Sequence, residues 1–343
     1  MSKKTYPFWK ISPHIFILGA GASRAAFPNG DKYGRKLPLM SDFIEIVGLK
    51  PILDKYKINF SNNIEDIYDT LYRNDVENPV LKELNDHIYD YFSILQIPDE
   101  VTLYDRLLLS LQSKDVIFSF NWDPLILQAF IRNIKIKELP RLHFLHGNVA
   151  VGICYEHKIS GHFGNKCSVC GKYLEPSKLL YPIKDKDYTK DQFINSEWKA
   201  LENYLKNSFI FTIFGYSAPK TDVKAVEMMK MAWKRNSRFE FNEVEIIDIL
   251  SREKVENNWE DFTFKTHYSI HESVDTTLSF IYTRRSSEHW GDSIMMLKPW
   301  SERRMPKYRD LSKLHKWIQP LVYEEILFKT KGIEIPRYST KNH

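Results

Sequence analysis

The sequence predicts an α/β protein: a Rossmann-like parallel sheet with helices on both faces, carrying a helical insertion, a small zinc module and a C-terminal extension. Three observations predict it. Five short runs rich in β-branched and aromatic residues, between His14 and Leu250, are separated by segments of helical pattern. Four polar, glycine- or amide-containing segments each follow the last apolar residue of such a run, where ligands bind in open parallel sheets. All three cysteines fall between Cys154 and Cys170.

The first strand is His14–Leu18, stopped by the glycine turn Gly19-Ala-Gly21-Ala-Ser23, after which Arg24–Phe27 begins a helix that Pro28-Asn-Gly30 ends. From Asp42 to Gln112 the pattern is helical, with segments near Ser41–Val47, Asn63–Arg73, Val80–Leu95 and Val101–Leu111. This block is the insertion, at about residues 40–112. The second strand, Val116–Phe120, leads into Asn121-Trp-Asp123 and a helix near Pro124–Arg132, and the third, Leu142–Leu145, into His146-Gly147. The fourth, Phe209–Phe214, ends in Gly215-Tyr-Ser217 before a helix from about Thr221 to Trp233. A fifth, Val244–Leu250, closes the repeat. These elements define a core over residues 12–250. Residues 251–343 form the extension, irregular to Lys298 and helical near Leu311–Lys329.

Composition narrows the function classes. A chain of 343 residues with 43% hydrophobic residues buries a core without disulfides, so disordered and miniprotein classes are excluded. The longest apolar runs, such as Phe209–Phe214, are far short of the roughly 18 residues of a membrane span. Lys10, Pro13 and His14 interrupt what resembles a leader's apolar stretch, and a cytoplasmic location with no membrane partner is expected. A net charge of +5 makes no case for nucleic acid. The pairs Arg284-Arg285 and Arg303-Arg304 read as solvated surface.

The cysteines carry a sharper signal. Cys154-x2-His157 and Cys167-x2-Cys170 supply four ligands in two close pairs, as a closed tetrahedral zinc site requires, within a ribbon module at about residues 151–175. Such a Zn2+ is structural, because no coordination position remains for water. His162 is the substitute ligand should His157 face away. The glycine turn allows close approach of a phosphate, although a tight strand-to-helix turn needs glycine for its own sake. His146 follows a strand at the expected cleft and suits a general base near neutral pH. His143 is its rival, and the one expected to be buried.

Gly19-Ala-Gly21-Ala-Ser23, Asn121-Trp-Asp123, His146-Gly147, the paired Cys/His module and Gly215-Tyr-Ser217 occur in the order seen in sirtuins, and over residues 12–250 the chain resembles the sirtuin-like superfamily. Leu174-Glu-Pro176 resembles the segment that follows zinc there. The resemblance implies that NAD is bound. Ala20, Gly21 and Ser23 would contact its phosphates, and Asn121 and Asp123 would lie near the nicotinamide ribose. His146 would be the catalytic histidine. Gly215 and Ser217 would hold the rest of the dinucleotide, with Asp248 at the adenosine ribose.

Departures from the sirtuin pattern redirect the expected activity. Phe27-Pro28-Asn-Gly-Asp31 stands where deacylases carry Gly-Ile-Pro-Asp-Phe-Arg, and Leu180-Tyr-Pro-Ile183 stands where Phe-Gly-Glu borders the acyl-lysine tunnel. The Gly215–Asp222 stretch resembles instead the bacterial sirtuin-like domains of anti-phage defence, which deplete NAD. The implied activity is therefore NAD glycohydrolysis by a homo-oligomer, with a separately encoded partner such as an ATPase. The alternatives are an NAD-dependent protein deacylase, for which the zinc module speaks, and a non-catalytic NAD or ADP-ribose sensor.

Overall fold

The computed structural model describes residues 7–59, 63–76, 78–184, 186–218, 222–298 and 300–333. The central sheet takes β1 (His14–Leu18), β2 (Val116–Ser119), β3 (Arg141–Phe144), β7 (Ile210–Phe214), β8 (Glu243–Ile247) and β9 (His267–His271), in the order β3-β2-β1-β7-β8-β9. Every pairing is parallel, with Ile15 opposite both Val116 and Phe211. Strands β1, β2, β7 and β8 are buried along their whole length, which requires cover on both faces of the sheet. The order reverses direction between β1 and β7. That switch point opens a crevice at the carboxyl ends of the strands.

The helices fill in around this frame. The turn after β1 is already helical, as α1 (Ala20–Ala26). The insertion holds α2 (Phe43–Val47), α3 (Lys50–Lys55), α4 (Ile64–Asn74), α5 (Pro79–Ser93) and α6 (Leu103–Ser110). Asn63, Asn78 and Thr102 cap the last three through their side chains, and Thr102 with Asp105 forms a reciprocal capping box. Next come α7 (Leu125–Asn133), α8 (Gln192–Asn207) and α9 (Val223–Lys234). Helix α8, started by the Asp191 cap and burying Phe193, Ile194, Trp198, Leu201 and Leu205, lies in a stretch for which the sequence suggested no element. Thr221, the expected start of α9, lies outside the described residues.

Between β3 and α8, strands β4 (Val151–Cys154), β5 (Ile159–His162) and β6 (Glu175–Pro176) form a separate three-stranded antiparallel sheet in the order β5-β4-β6. Cys154, Cys167 and Leu174 form a small core of their own there.

Residues 251–298 are not irregular. They supply α10 (Arg252–Thr263), strand β9 beside β8, and α11 (Leu278–Ile281) and α12 (Ser286–Ile294), before α13 (Leu311–Lys331). The sheet therefore runs one strand past the expected fifth. β9 escapes sequence reading because none of its five residues is fully buried and its run, His-Tyr-Ser-Ile-His, is polar. The solvated reading of Arg284-Arg285 is also corrected. Both are buried, with Arg284 Nε 2.6 Å from Glu325 Oε1 and Arg285 Nη1 2.8 Å from the same oxygen. The Arg284 guanidinium also donates to the Leu109, Leu111 and Glu138 carbonyls, so a buried carboxylate on α13 and the chain's own carbonyls replace solvent. Arg303 pairs with Glu324, and the half-exposed Arg304 pairs with Glu302.

Candidate active site

The β1 and β7 turns cross at the switch point with no room between them. A Cβ on Gly19 would lie 2.4 Å from the Gly215 carbonyl oxygen. Gly215 itself has φ 60°, and a Cβ there would meet Ala22 N at 2.2 Å. Gly21 N–H donates to the Gly215 carbonyl at 2.9 Å. Packing of one turn on the other thus suffices to require these glycines. Gly147 is fixed similarly: with φ 78°, a Cβ would lie 2.0 Å from the Lys178 carbonyl oxygen, in the segment that follows β6.

Above the crossing lies a cavity of about 450 Å3. All nine residues the sequence singled out at strand ends, Ala20, Gly21, Ser23, Asn121, Asp123, His146, Gly215, Ser217 and Asp248, line it. The stretch leading into the insertion adds Leu37–Ser41, the insertion adds Phe43, Glu65 and Phe92, and the segment after the zinc module adds Leu180, Pro182 and Lys186.

Behind the glycine turn is a closed hydrogen-bond network. Ser23 Oγ donates to Asp123 Oδ2 at 2.7 Å, and accepts from the Tyr104 hydroxyl at 2.7 Å and from Asn121 Nδ2 at 2.8 Å. That uses its one proton and both lone pairs. Asn121 Nδ2 also donates to the Gly19 carbonyl at 2.9 Å, and a carbonyl only accepts, so the amide orientation is fixed and Oδ1 is left to the cavity. Asp123 Oδ1 accepts Leu125 N–H at 3.1 Å, holding the start of α7. Burial pushes the Asp123 carboxyl above its ordinary range, against the hydrogen bonds from Ser23 and Leu125 that favour its charge. Asn148 Nδ2 reaches the Asp123 carbonyl at 2.6 Å and ties this segment to the one carrying His146. With the Ser23 hydroxyl and the Gly21 N–H committed within the chain, their part in the site is to shape the turn.

His146 stands on the opposite wall. Its ring meets the edge of Phe120 at 4.7 Å between centroids and lies parallel to Tyr188 at 6.0 Å, while Phe120 stacks on Tyr216 at 4.2 Å. Burial lowers its pKa to about 3, so the imidazole is neutral at neutral pH. Nε2 is buried with no hydrogen-bond partner among the described residues and sits 4.0 Å from Asp222 Oδ1. Nδ1, which makes no hydrogen bond to a described residue, is the nitrogen open to the cavity. Lys186 pairs with the same Asp222 Oδ1, and the Tyr216 hydroxyl donates to Oδ2 at 3.0 Å. Burial opposes the charge of Asp222, but the Lys186 ammonium and these hydrogen bonds outweigh it and hold the carboxyl below its usual range.

Lys186 and Asp222 are the site residues that sequence reasoning missed. Lys186 lies in a Lys/Asp-rich stretch that reads as solvated surface, and Asp222 was only part of a compared motif; five residues after Ser217, at the head of a helix, it is the one signal that pointed here. His143, expected to be buried, is partly exposed. It stacks on Phe118 at 4.8 Å with Nδ1 3.2 Å from Glu197, and does not line the cavity. Asp248 accepts Leu250 N–H at 2.9 Å in the turn after β8.

Away from the cavity, the ligand atoms of Cys154, His157, Cys167 and Cys170 all lie within 4.8 Å of one another. The Cys154–Cys170 sulfur separation is 3.8 Å, and His157 Nδ1 lies 3.4 Å from Cys154 Sγ and 3.8 Å from Cys167 Sγ. A tetrahedral Zn2+ with Zn–S of about 2.3 Å and Zn–N of about 2.0 Å needs edges of roughly 3.5–3.8 Å, so the donor set fits this metal. His162 is no part of the cluster; its Nδ1 is turned to the Phe163 carbonyl at 2.6 Å.

No family model matches the chain, and no curated protein does. Among solved structures it is similar to a Sir2 homologue in complex with NAD, at 12% identity and TM-score 0.43, over 84% of this chain and 92% of that one. Another is a structure on sirtuin substrate affinity, at 14% identity and TM-score 0.40, over 76% and 88%. A third is Sir2 bound to acetylated peptide, at 11% identity and TM-score 0.39, over 84% and 95%. The assignment of the fold rests on the strand order and register given above.

Proposed function

We propose that this chain binds NAD in the switch-point cavity and hydrolyses the bond between nicotinamide and ribose. The observation that carries the reading is the pairing, across one cavity, of a fixed amide oxygen on Asn121 with a neutral, buried His146. Nicotinamide leaves with the bonding electron pair as positive charge develops at C1′. Water supplies the new C–O bond, and its proton passes to Nδ1 of His146 and then to solvent. The products are nicotinamide, ADP-ribose and one proton. Asn121 Oδ1 orients the water or the nicotinamide, and Asp123 acts through Ser23 to hold Asn121 in place. Ala20, Gly21, Gly215 and Ser217 form the floor under the diphosphate, with Asp248 toward the adenosine ribose.

Hydrolysis is the reading taken here because Leu180 and Pro182, which line the cavity, belong to the stretch that stands where the sirtuin deacylases carry Phe-Gly-Glu. The zinc cluster favours the second reading, an NAD-dependent protein deacylase. Within the hydrolase reading, the resemblance of the Gly215–Asp222 stretch supports a role as an NAD-depleting effector of anti-phage defence, acting as an oligomer with a separately encoded partner such as an ATPase. The test is incubation with NAD, with and without an acetyl-lysine peptide, and chromatographic identification of products. ADP-ribose and nicotinamide without peptide are expected. O-acetyl-ADP-ribose appearing only with peptide would overturn the hydrolase in favour of the deacylase.

A further inference from the structure

Asp222 occupies the N-cap position of α9, where an aspartate ordinarily accepts an N–H of the first turn and stabilises the helix. It makes no such bond. The carboxylate is turned away from its own helix into the cavity wall, where Lys186, the Tyr216 hydroxyl and the partnerless Nε2 of His146 converge on it. Lys186 and Asp222 are only 3% and 4% exposed, so the pair is one of charges drawn out of water, with a desolvation cost that such pairs often fail to recover in stability. A cap forgone and an ion pair buried beside a histidine with one idle nitrogen share one explanation.

We propose that Asp222 is the positioning residue of His146, its carboxylate holding the Nε2–H tautomer so that Nδ1 presents its lone pair to the cavity, while Lys186 keeps that carboxylate charged and aimed. The assignment rests on the reading of His146 as the group that takes the proton from water. Geometry dictates the tautomer: an ionised carboxylate accepts only, so a proton on Nε2 is attracted to Asp222 and a lone pair there is repelled. The separation of 4.0 Å is longer than a hydrogen bond, because Lys186 already occupies Oδ1, and such contacts commonly shorten when substrate fills the site. Among the described residues, the other groups against the ring are the uncharged Tyr188 and Phe120, and Tyr216 and Glu65 line the same cavity.

The experiment is nitrogen-15 NMR of the full chain labelled in its histidine rings, with His146 assigned by loss of its signal in His146→Gln. Wild-type protein is expected to show the Nε2–H tautomer at pH 7. Because D222N strands Lys186 in the interior, the charge-free double variant D222N/K186M is measured beside it, and both are expected to lose the tautomer preference. K186M alone is expected to protonate His146 at a higher pH than wild type, since a nearby positive charge is gone. In NAD turnover the double variant should lower kcat about tenfold or more with KM little changed. An Nδ1–H tautomer in wild type, an unchanged spectrum in folded D222N/K186M, or an altered spectrum with unchanged kcat overturns the assignment. Wild-type protein that leaves NAD intact while the spectra respond as expected sinks the hydrolase and upholds the tautomer control by Asp222.

Discussion

Two histidines, His14 on the first strand and His146 after the third, are both buried and both made harder to protonate by that burial, yet their surroundings differ in one respect. His14 uses both ring nitrogens: Nδ1 meets Ser286 Oγ at 2.9 Å and Nε2 meets Thr212 Oγ1 at 2.6 Å. Thr212 in turn donates to Glu245, whose other oxygen accepts Leu278 N–H, so the chain of bonds ends in the segment that covers this face of the sheet. His146 makes no hydrogen bond to a described residue through either nitrogen: Nε2 lies 4.0 Å from Asp222 Oδ1, and Nδ1 is the one on the cavity side. A satisfied buried histidine is a fastener, and an unsatisfied one beside a cavity is held ready for something the chain does not contain. His157 is a third case, partly exposed and aimed at sulfur.

The largest expected effect belongs to this third histidine. His157→Ala should take bound zinc from about one equivalent to nearly none, measured by metal analysis, and render the module sensitive to protease. Zinc retained in this variant but lost on His162→Ala would reverse the ligand assignment. Next, His146→Ala should cut NAD turnover about 100-fold or more while the urea midpoint barely moves. His14→Ala should invert that pattern. It strands Thr212 and Ser286 and leaves a cavity, costing about 2–4 kcal/mol in urea unfolding with turnover per folded molecule unchanged. A loss of turnover there with no loss of stability breaks the comparison.

The remaining effect is on pH dependence. His146 is held at about 3 in the folded chain against 6.5 when free, so the unfolded chain binds its proton first. Its contribution to stability is complete above pH 6.5 and is lost progressively as pH falls toward 3, at up to about 1.4 kcal/mol per pH unit. His146→Gln should therefore unfold less steeply than wild type between pH 6 and 4 in parallel urea titrations. Identical slopes would mean that the ring is better solvated than its packing indicates.

How far the sequence revealed this molecule follows from what each segment buries. Strands β1, β2, β7 and β8 are enclosed on both faces and read as unbroken apolar runs, so they were legible to within a residue or two at most ends. β9 lies at the edge, and its polar alternation hid it. The residues at strand ends were legible because a doubly wound sheet puts its chemistry there. Lys186 was hidden, since a lysine in a charged stretch looks solvated until a distant aspartate is folded against it. Arg284 and Arg285 misled for the same reason: Glu325, which neutralises both, is far along the chain. The spacing of the cysteines was local, and needed no tertiary information.

The strand order also constrains the birth of the chain. β1 lies at the middle of the sheet, and its second neighbour does not exist until Ile210–Phe214 has been synthesised. The crossing of the Gly19 and Gly215 turns that makes the cavity floor waits for the same event, and the bond from His14 to Ser286 waits longer still. A nascent chain emerging from the ribosome therefore holds one edge of its first strand unpaired until β7 has been made, and the cavity floor cannot close before then.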